Sequence, residues 1–200
     1  MHLGSQTVNN FLSSLSAKQP TPGGGAVAGL LTALSASLGQ MVVAYTEGKK
    51  KYSEHEALHR DCISFLQAAS NEAIVLAEED AKAYEALNKL WKLDRDDLKR
   101  KAGWDDALHN AIQVPLKTLE LSERILVTLQ TLVEKTNAML ASDLAIAAIL
   151  SESAARSARL NVEINLSQMD EGTARNTLQE KTSNLVDSCV SICKSIEEHC

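Results

Sequence analysis

Apolar residues recur every three or four positions along most of this chain, and no stretch alternates with the period of two that a half-buried strand requires. Val8, Phe11, Leu12 and Leu15 fall on one side of a short helix predicted over about residues 7–17. Pro20 and Pro22 end it, because the residue before a proline disfavours helical geometry. A second helix is predicted from Gly24 or Gly25 to near Gly48, and residues 26–45 of it carry no charge. Ser53 and Glu56, three apart, have the spacing of a capping box. From there to about Leu93 neither Gly nor Pro interrupts a stripe that includes Leu58, Cys62, Leu66, Ala73, Leu76, Leu87 and Leu90. That pattern predicts one helix of about forty residues, roughly 60 Å long.

The segment LDRDDLKRKAG is charged and reads as a surface loop or short helix. Another helical stretch covers about 105–136, where Pro115 implies a kink or break near Val114. An Ala-rich helix over about 138–158 is apolar on most sides, which predicts a central position. After a turn at 170–172 a last helix starts at Thr173, with Leu178, Leu185, Cys189, Ile192, Cys193 and Ile196 as its seam. No linker, repeat or low-complexity tract divides the chain. Residues 1–200 therefore read as a single all-α domain, a bundle of long helices.

Composition narrows the function classes. A 44% hydrophobic and 23% charged content fits a soluble globular protein, and a net charge of −6 argues against a nucleic-acid partner. It leaves room for a small anionic ligand at a locally basic site. Cys62, Cys189, Cys193 and Cys200 form no dense framework and no secretory leader is visible, so a reducing cytoplasm is expected. Cys189 and Cys193, four apart, read as core residues. The uncharged run 26–45 is long enough to cross a bilayer. However, Thr32, Ser35, Ser37 and Gln40 interrupt it, so a helix buried among helices is expected, with Gly29, Ala33, Ser37 and Ala44 for close contact and no membrane partner.

Three motifs bear on chemistry. PGGG lacks the Gly-Lys-Ser/Thr ending of a P-loop. Its glycines either offer bare amides at a helix start to an anion or carbonyl, or simply make a tight turn. HEALH at 55–59 fits the zinc motif H-E-x-x-H, but Glu79 is twenty residues beyond His59, about 30 Å along a helix, and no metal site is expected. Asp80 and Asp143 both lie in apolar stripes, where a carboxylate is either a satisfied core group or part of a site. With Lys49, Lys50 and Lys51 available after Gly48, the pair points to a site.

In order along the chain come PTPGGGAVAG, EGKKKY, EEDAKAY, VPL, TNAMLASDLAIAA and ARLNVEINL. This set resembles the cyclodeaminase domain of formiminotransferase-cyclodeaminases and the related methenyltetrahydrofolate cyclohydrolases. The resemblance covers nearly the whole chain. It departs at Ala26, where family members often have Ser, and at KLDRDD, where they often carry a proline. It implies an all-helical homodimer with a folate cleft at or near the subunit interface, and no cofactor beyond the tetrahydrofolate substrate. It also implies chemistry at the one-carbon bridge: cyclohydrolysis of 5,10-methenyltetrahydrofolate, or cyclodeamination of the formimino compound. The lack of a transferase segment in this sequence favours the former. On this resemblance Asp143 is expected as the acid–base group, with Asp80 its partner or second candidate and Lys50 a charged contact. Gly23, Gly24, Gly25, Lys49, Tyr52, Asn137, Ser142, Asn161 and Asn165 are the expected substrate contacts. A non-catalytic helical interaction module is the alternative of another class.

Overall fold

The computed structural model of the protein describes residues 3–200, and among them it has six α-helices and no strand. They are α1 (Val8–Leu15), α2 (Gly24–Ala44), α3 (Glu56–Trp91), α4 (Leu98–Thr131), α5 (Ala141–Leu166) and α6 (Thr173–Glu197). Short 3-10 turns occupy Leu3–Ser5, Lys50–His55 and Ala138–Leu140. The all-α expectation holds. α2 packs on α3 and α5, and α4 packs on α3, α5 and α6.

α2 lies inside because its residues are small and uncharged. A Cβ on Gly29 would sit 2.7 Å from the Ala77 Cβ and 2.9 Å from the Ala73 carbonyl, so α2 and α3 meet backbone to backbone. Gly39 gives Leu129 of α4 the same access. Ala33 is buried as expected, but Ser37 and Ala44 are exposed, and Ser37 pairs with Ser70 of α3 at 3.0 Å. By length and composition α2 and residues 138–166 could each cross a membrane. Within the bundle, buried hydroxyls tie α2 to its neighbours: Ser35 donates to the Ala147 carbonyl at 2.7 Å, and Thr32 pairs with Ser122 at 3.1 Å.

Several boundaries differ from the pattern reading. α2 stops at Ala44, where Thr46 bonds back to the Val42 carbonyl, and Gly48 then turns with φ 73°. The Ser53–Glu56 capping box does not form. Ser53 donates to Lys50 within the 3-10 turn, and His55 precedes α3. α4 starts at Leu98 rather than near 105 because Asp97 caps it, accepting from the amides of Lys99 and Arg100. It ends at Thr131, and α5 continues to Leu166.

Pro115 does not break α4. Its missing N–H orphans the Ala111 carbonyl one turn back. The Asn165 side chain of α5 supplies the replacement donor at 2.8 Å, so the helix runs on.

α5 is not buried on most sides. Its inner face holds Leu144, Ala147, Ala148, Ala155, Ala158 and Val162, but Ile146, Ile149, Leu160 and Ile164 stay exposed along the other. Cys62, Cys189 and Cys193 are buried in the core. Burial and then nearby carboxylates push the Cys189 and Cys193 thiols up to about 12.

Candidate active site

α2 begins in a cleft of about 320 Å³, lined by Gly23, Gly24, Gly25, Asp80, Asn161 and Asn165 with Tyr84, Leu87, Trp91 and Ile164 as apolar walls. The first turn of α2 leaves its amides free, since the first helical bond runs from the Val27 amide to the Gly23 carbonyl at 3.1 Å. Gly25 then permits an unusual approach. A Cβ there would collide with the Asp80 carboxyl group. Gly24 is looser, with Asn161 Oδ1 3.6 Å from its hypothetical Cβ.

Asp80 is half-buried on α3, and burial raises its carboxyl to about 6 with no partner offsetting the shift. A carboxyl that titrates near neutrality, facing a cleft lined with amide donors, suits general acid–base work. Asp80, Tyr84, Leu87 and Trp91 are spaced four, three and four apart, so one face of α3 supplies this side of the cleft.

The two asparagines sit one turn apart on α5. Asn165 spends its amide hydrogens on the Ala111 and Asn161 carbonyls, at 2.8 and 2.9 Å. Its carbonyl oxygen is the end left for a ligand. Asn161 donates to Ser157 at 3.0 Å and turns Oδ1 toward Gly24.

The remaining candidates gather elsewhere. Tyr52 and Asn137 line a separate pocket of about 250 Å³ with Lys51 and His199. The Ala138 amide donates to the Tyr52 hydroxyl at 3.2 Å. This bond, opposed by burial and aided by Lys51 and Lys49, holds the phenol below its ordinary pKa. The Asn137 side chain accepts from the Met139 amide, while its backbone amide donates to Thr46 at 2.9 Å. Lys49, Lys50 and Ser142 are exposed.

Asp143 is half-buried in the first turn of α5, a favourable place for a carboxylate against the helix dipole. Eighteen residues of one helix separate it from Asn161, about 27 Å. Asp143 and Asp80 therefore do not share a site within one subunit. Asp80, not Asp143, is the carboxylate beside the glycines.

His59 of HEALH is buried and bonds the Lys135 carbonyl at 2.8 Å, tying α3 to the loop that leads to Asn137. The sequence reading missed the walls. Tyr84 and Trp91 were legible as face-sharing residues with Asp80, but nothing in the spacing showed that this face borders a cleft.

Fold and cleft define a helical domain in which the Asp80 carboxyl, unpaired among the described residues, lies beside the start of a helix. The chain belongs to the formiminotransferase-cyclodeaminase family, whose model matches residues 7–184. It is 31% identical over 172 residues to the methenyltetrahydrofolate cyclohydrolase of Methylorubrum extorquens, covering 84% of this chain and 83% of that one. It is also 31% identical over 195 residues to the formimidoyltransferase-cyclodeaminase of Mus musculus. That alignment covers 94% of this chain, which spans only 35% of the mouse protein's length. The solved formiminotetrahydrofolate cyclodeaminase of Thermotoga maritima superposes with a TM-score of 0.86 at 27% identity, covering 98% of this chain and 97% of that one.

Proposed function

We propose that this protein acts on the one-carbon bridge of tetrahydrofolate as a methenyltetrahydrofolate cyclohydrolase, with Asp80 as its acid–base group. The observation that carries the reading is the unpaired Asp80 carboxyl, raised to about 6 against the free amides of α2, in a member of this family. The full-length likeness to the Methylorubrum extorquens cyclohydrolase supports this reaction.

Water adds through its oxygen to the methenyl carbon while Asp80 takes one of its protons, and the cation's charge is neutralised. The bond from that carbon to N5 then breaks as Asp80 returns the proton to N5. The hydroxyl proton leaves to solvent, and 10-formyltetrahydrofolate remains. The Gly24 and Gly25 amides and the Asn165 carbonyl oxygen hold the pterin or its substituents. The reaction is hydrolytic and calls for no redox or metal cofactor.

The likeness to the Thermotoga maritima cyclodeaminase favours a second reading, in which N10 attacks the formimino carbon, Asp80 takes the N10 proton and passes it to the imino nitrogen, and the bond from carbon to that nitrogen breaks to release ammonia. Following methenyl-folate absorbance separates them. Loss from 5,10-methenyltetrahydrofolate supports the first, and appearance from the formimino compound supports the second. Silence in both, with no folate binding, returns the chain to a non-catalytic helical module.

The working unit is a pair of chains. Ile146 and Ile149 towards one end of α5 and Leu160 and Ile164 towards the other are exposed along one face, with Ser153 and Arg156 between them, and Leu34 and Tyr45 of α2 are exposed as well. Single exposed apolar residues are ordinary, but pairs of them along one helix face mark an interface. The face runs from the Asp143 end of α5 to the Asn161 end. A two-fold antiparallel pairing across it lays the Lys50–Tyr52–Asp143 end of one copy against the Asp80 cleft of the other. That pairing would bring the separated motif residues together.

A further inference from the structure

A second cavity, about 410 Å³, opens beside α4, where Leu108 and Ile112 line it. Leu178 of α6 joins them as an apolar floor, and the Trp104 ring forms one wall. The rim carries Asp105 and Asp170, and no Lys or Arg is among the lining residues. Among the described residues neither rim carboxylate takes a hydrogen bond or ion pair. Two guanidinium groups lie nearby, and both are engaged. Arg100 donates to the Leu93 carbonyl at 2.7 Å and sits 4.6 Å over the Trp104 ring, and Arg175 donates to the Met169 carbonyl at 3.3 Å.

This combination selects a ligand class. An apolar floor and an indole wall favour a flat aromatic body, and two unpaired carboxylates at the mouth favour a cationic end. Anions, including the glutamate tail of a folate, meet two carboxylates and no Lys or Arg there, with only the neutral donors of Gln113 and Gln168 and the His109 and Trp104 rings to receive them. The volume lies in the range that small organic ligands fill.

The cavity is also joined to the folate cleft. Trp104 meets Trp91 edge to face, with centroids 6.1 Å apart at 87°. Trp91 is a wall of the Asp80 cleft. A ligand pressing on Trp104 therefore bears on a packed ring that the folate also touches, and coupling between two such ligands is reciprocal. We propose that this cavity binds a flat aromatic cation of the amidinium class, and that its occupancy is coupled to the folate cleft through the Trp104–Trp91 pair. The binding half stands apart from the proposed reaction, and the coupling half rests on that reading of the Asp80 cleft.

The experiment is calorimetric titration of the full chain with benzamidine, with and without 5-formyltetrahydrofolate. Saturable binding is expected, weakened about tenfold or more by Asp105→Asn with Asp170→Asn and again by Trp104→Leu. Folate should shift the benzamidine affinity by at least about fivefold to a plateau, and Trp104→Leu should abolish that shift. Circular dichroism confirms that each variant keeps its helices. Absence of saturable binding, or binding indifferent to these substitutions, overturns the site. A folate effect that grows without plateau places the probe in the folate cleft and overturns it equally, while no folate effect overturns the coupling. If 5-formyltetrahydrofolate itself does not bind, the proposed function fails and the coupling with it, whereas the benzamidine titration still decides the site.

Discussion

Asp80 lies against Gly25 so closely that no side chain fits between them. The contact joins the start of α2 to the middle of α3 and sets a carboxyl group beside unpaired amides. Gly25→Ala should therefore displace Asp80, costing about 1–3 kcal/mol of stability by overpacking and at least about tenfold in turnover. Gly24→Ala meets only ordinary contact with Asn161 and should not lower stability. Urea unfolding and turnover of the two variants check the contrast, and equal effects would contradict it.

Asp80 also makes stability depend on pH. Its folded carboxyl titrates at about 6, against 3.8 for an ordinary aspartate. A raised acid favours the folded state when protonated, so its contribution is fully present below about pH 4 and is lost as pH rises through 6. The loss is on the order of 3 kcal/mol at most. Asp80→Asn removes the penalty. It should melt higher than the parent at pH 7.5, and the advantage should shrink to nothing by pH 4.

Asn165 and Pro115 form a second linked pair through the Ala111 carbonyl. Asn165→Leu leaves that buried acceptor unpaired and should cost about 1–3 kcal/mol. In a Pro115→Ala background the alanine N–H can take the bond, so the same substitution should cost clearly less. A double-mutant cycle by denaturant unfolding measures the coupling, and additive effects would refute the relationship.

The proposed pairing of subunits makes a prediction about mixtures. If Asp80 of one chain works with Asp143 of its partner, a mixed dimer of Asp80→Asn and Asp143→Asn chains holds one intact site. Equal mixing after exchange should restore about a quarter of wild-type activity through this two-fold geometry. Mixtures no more active than the separate variants would remove Asp143 from the shared site.

Much of the fold was legible because its signals are local. The glycines at 23–25, the unbroken stripe into Leu87 and the seam through Cys189 and Cys193 each follow from helical period or backbone freedom. Pro115 misled because its compensation comes from Asn165, fifty residues later, which no local pattern reveals. Ser53 misled because the 3-10 turn spent its hydroxyl on Lys50. At the site, the sequence marked Asp80 and Asp143 alike as carboxylates in apolar stripes. Only packing distinguishes them, since one lies beside Gly25 and the other begins a helix about 27 Å away.

The most direct measurement is kcat/KM for 5,10-methenyltetrahydrofolate against pH, for the parent and for Asp80→Asn. The parent should lose activity as pH falls through about 6, where its base becomes protonated. Asp80→Asn should be about 10²–10⁴-fold slower with that inflection gone. A variant with the parent's rate and the parent's profile would contradict the assignment of the acid–base role to Asp80.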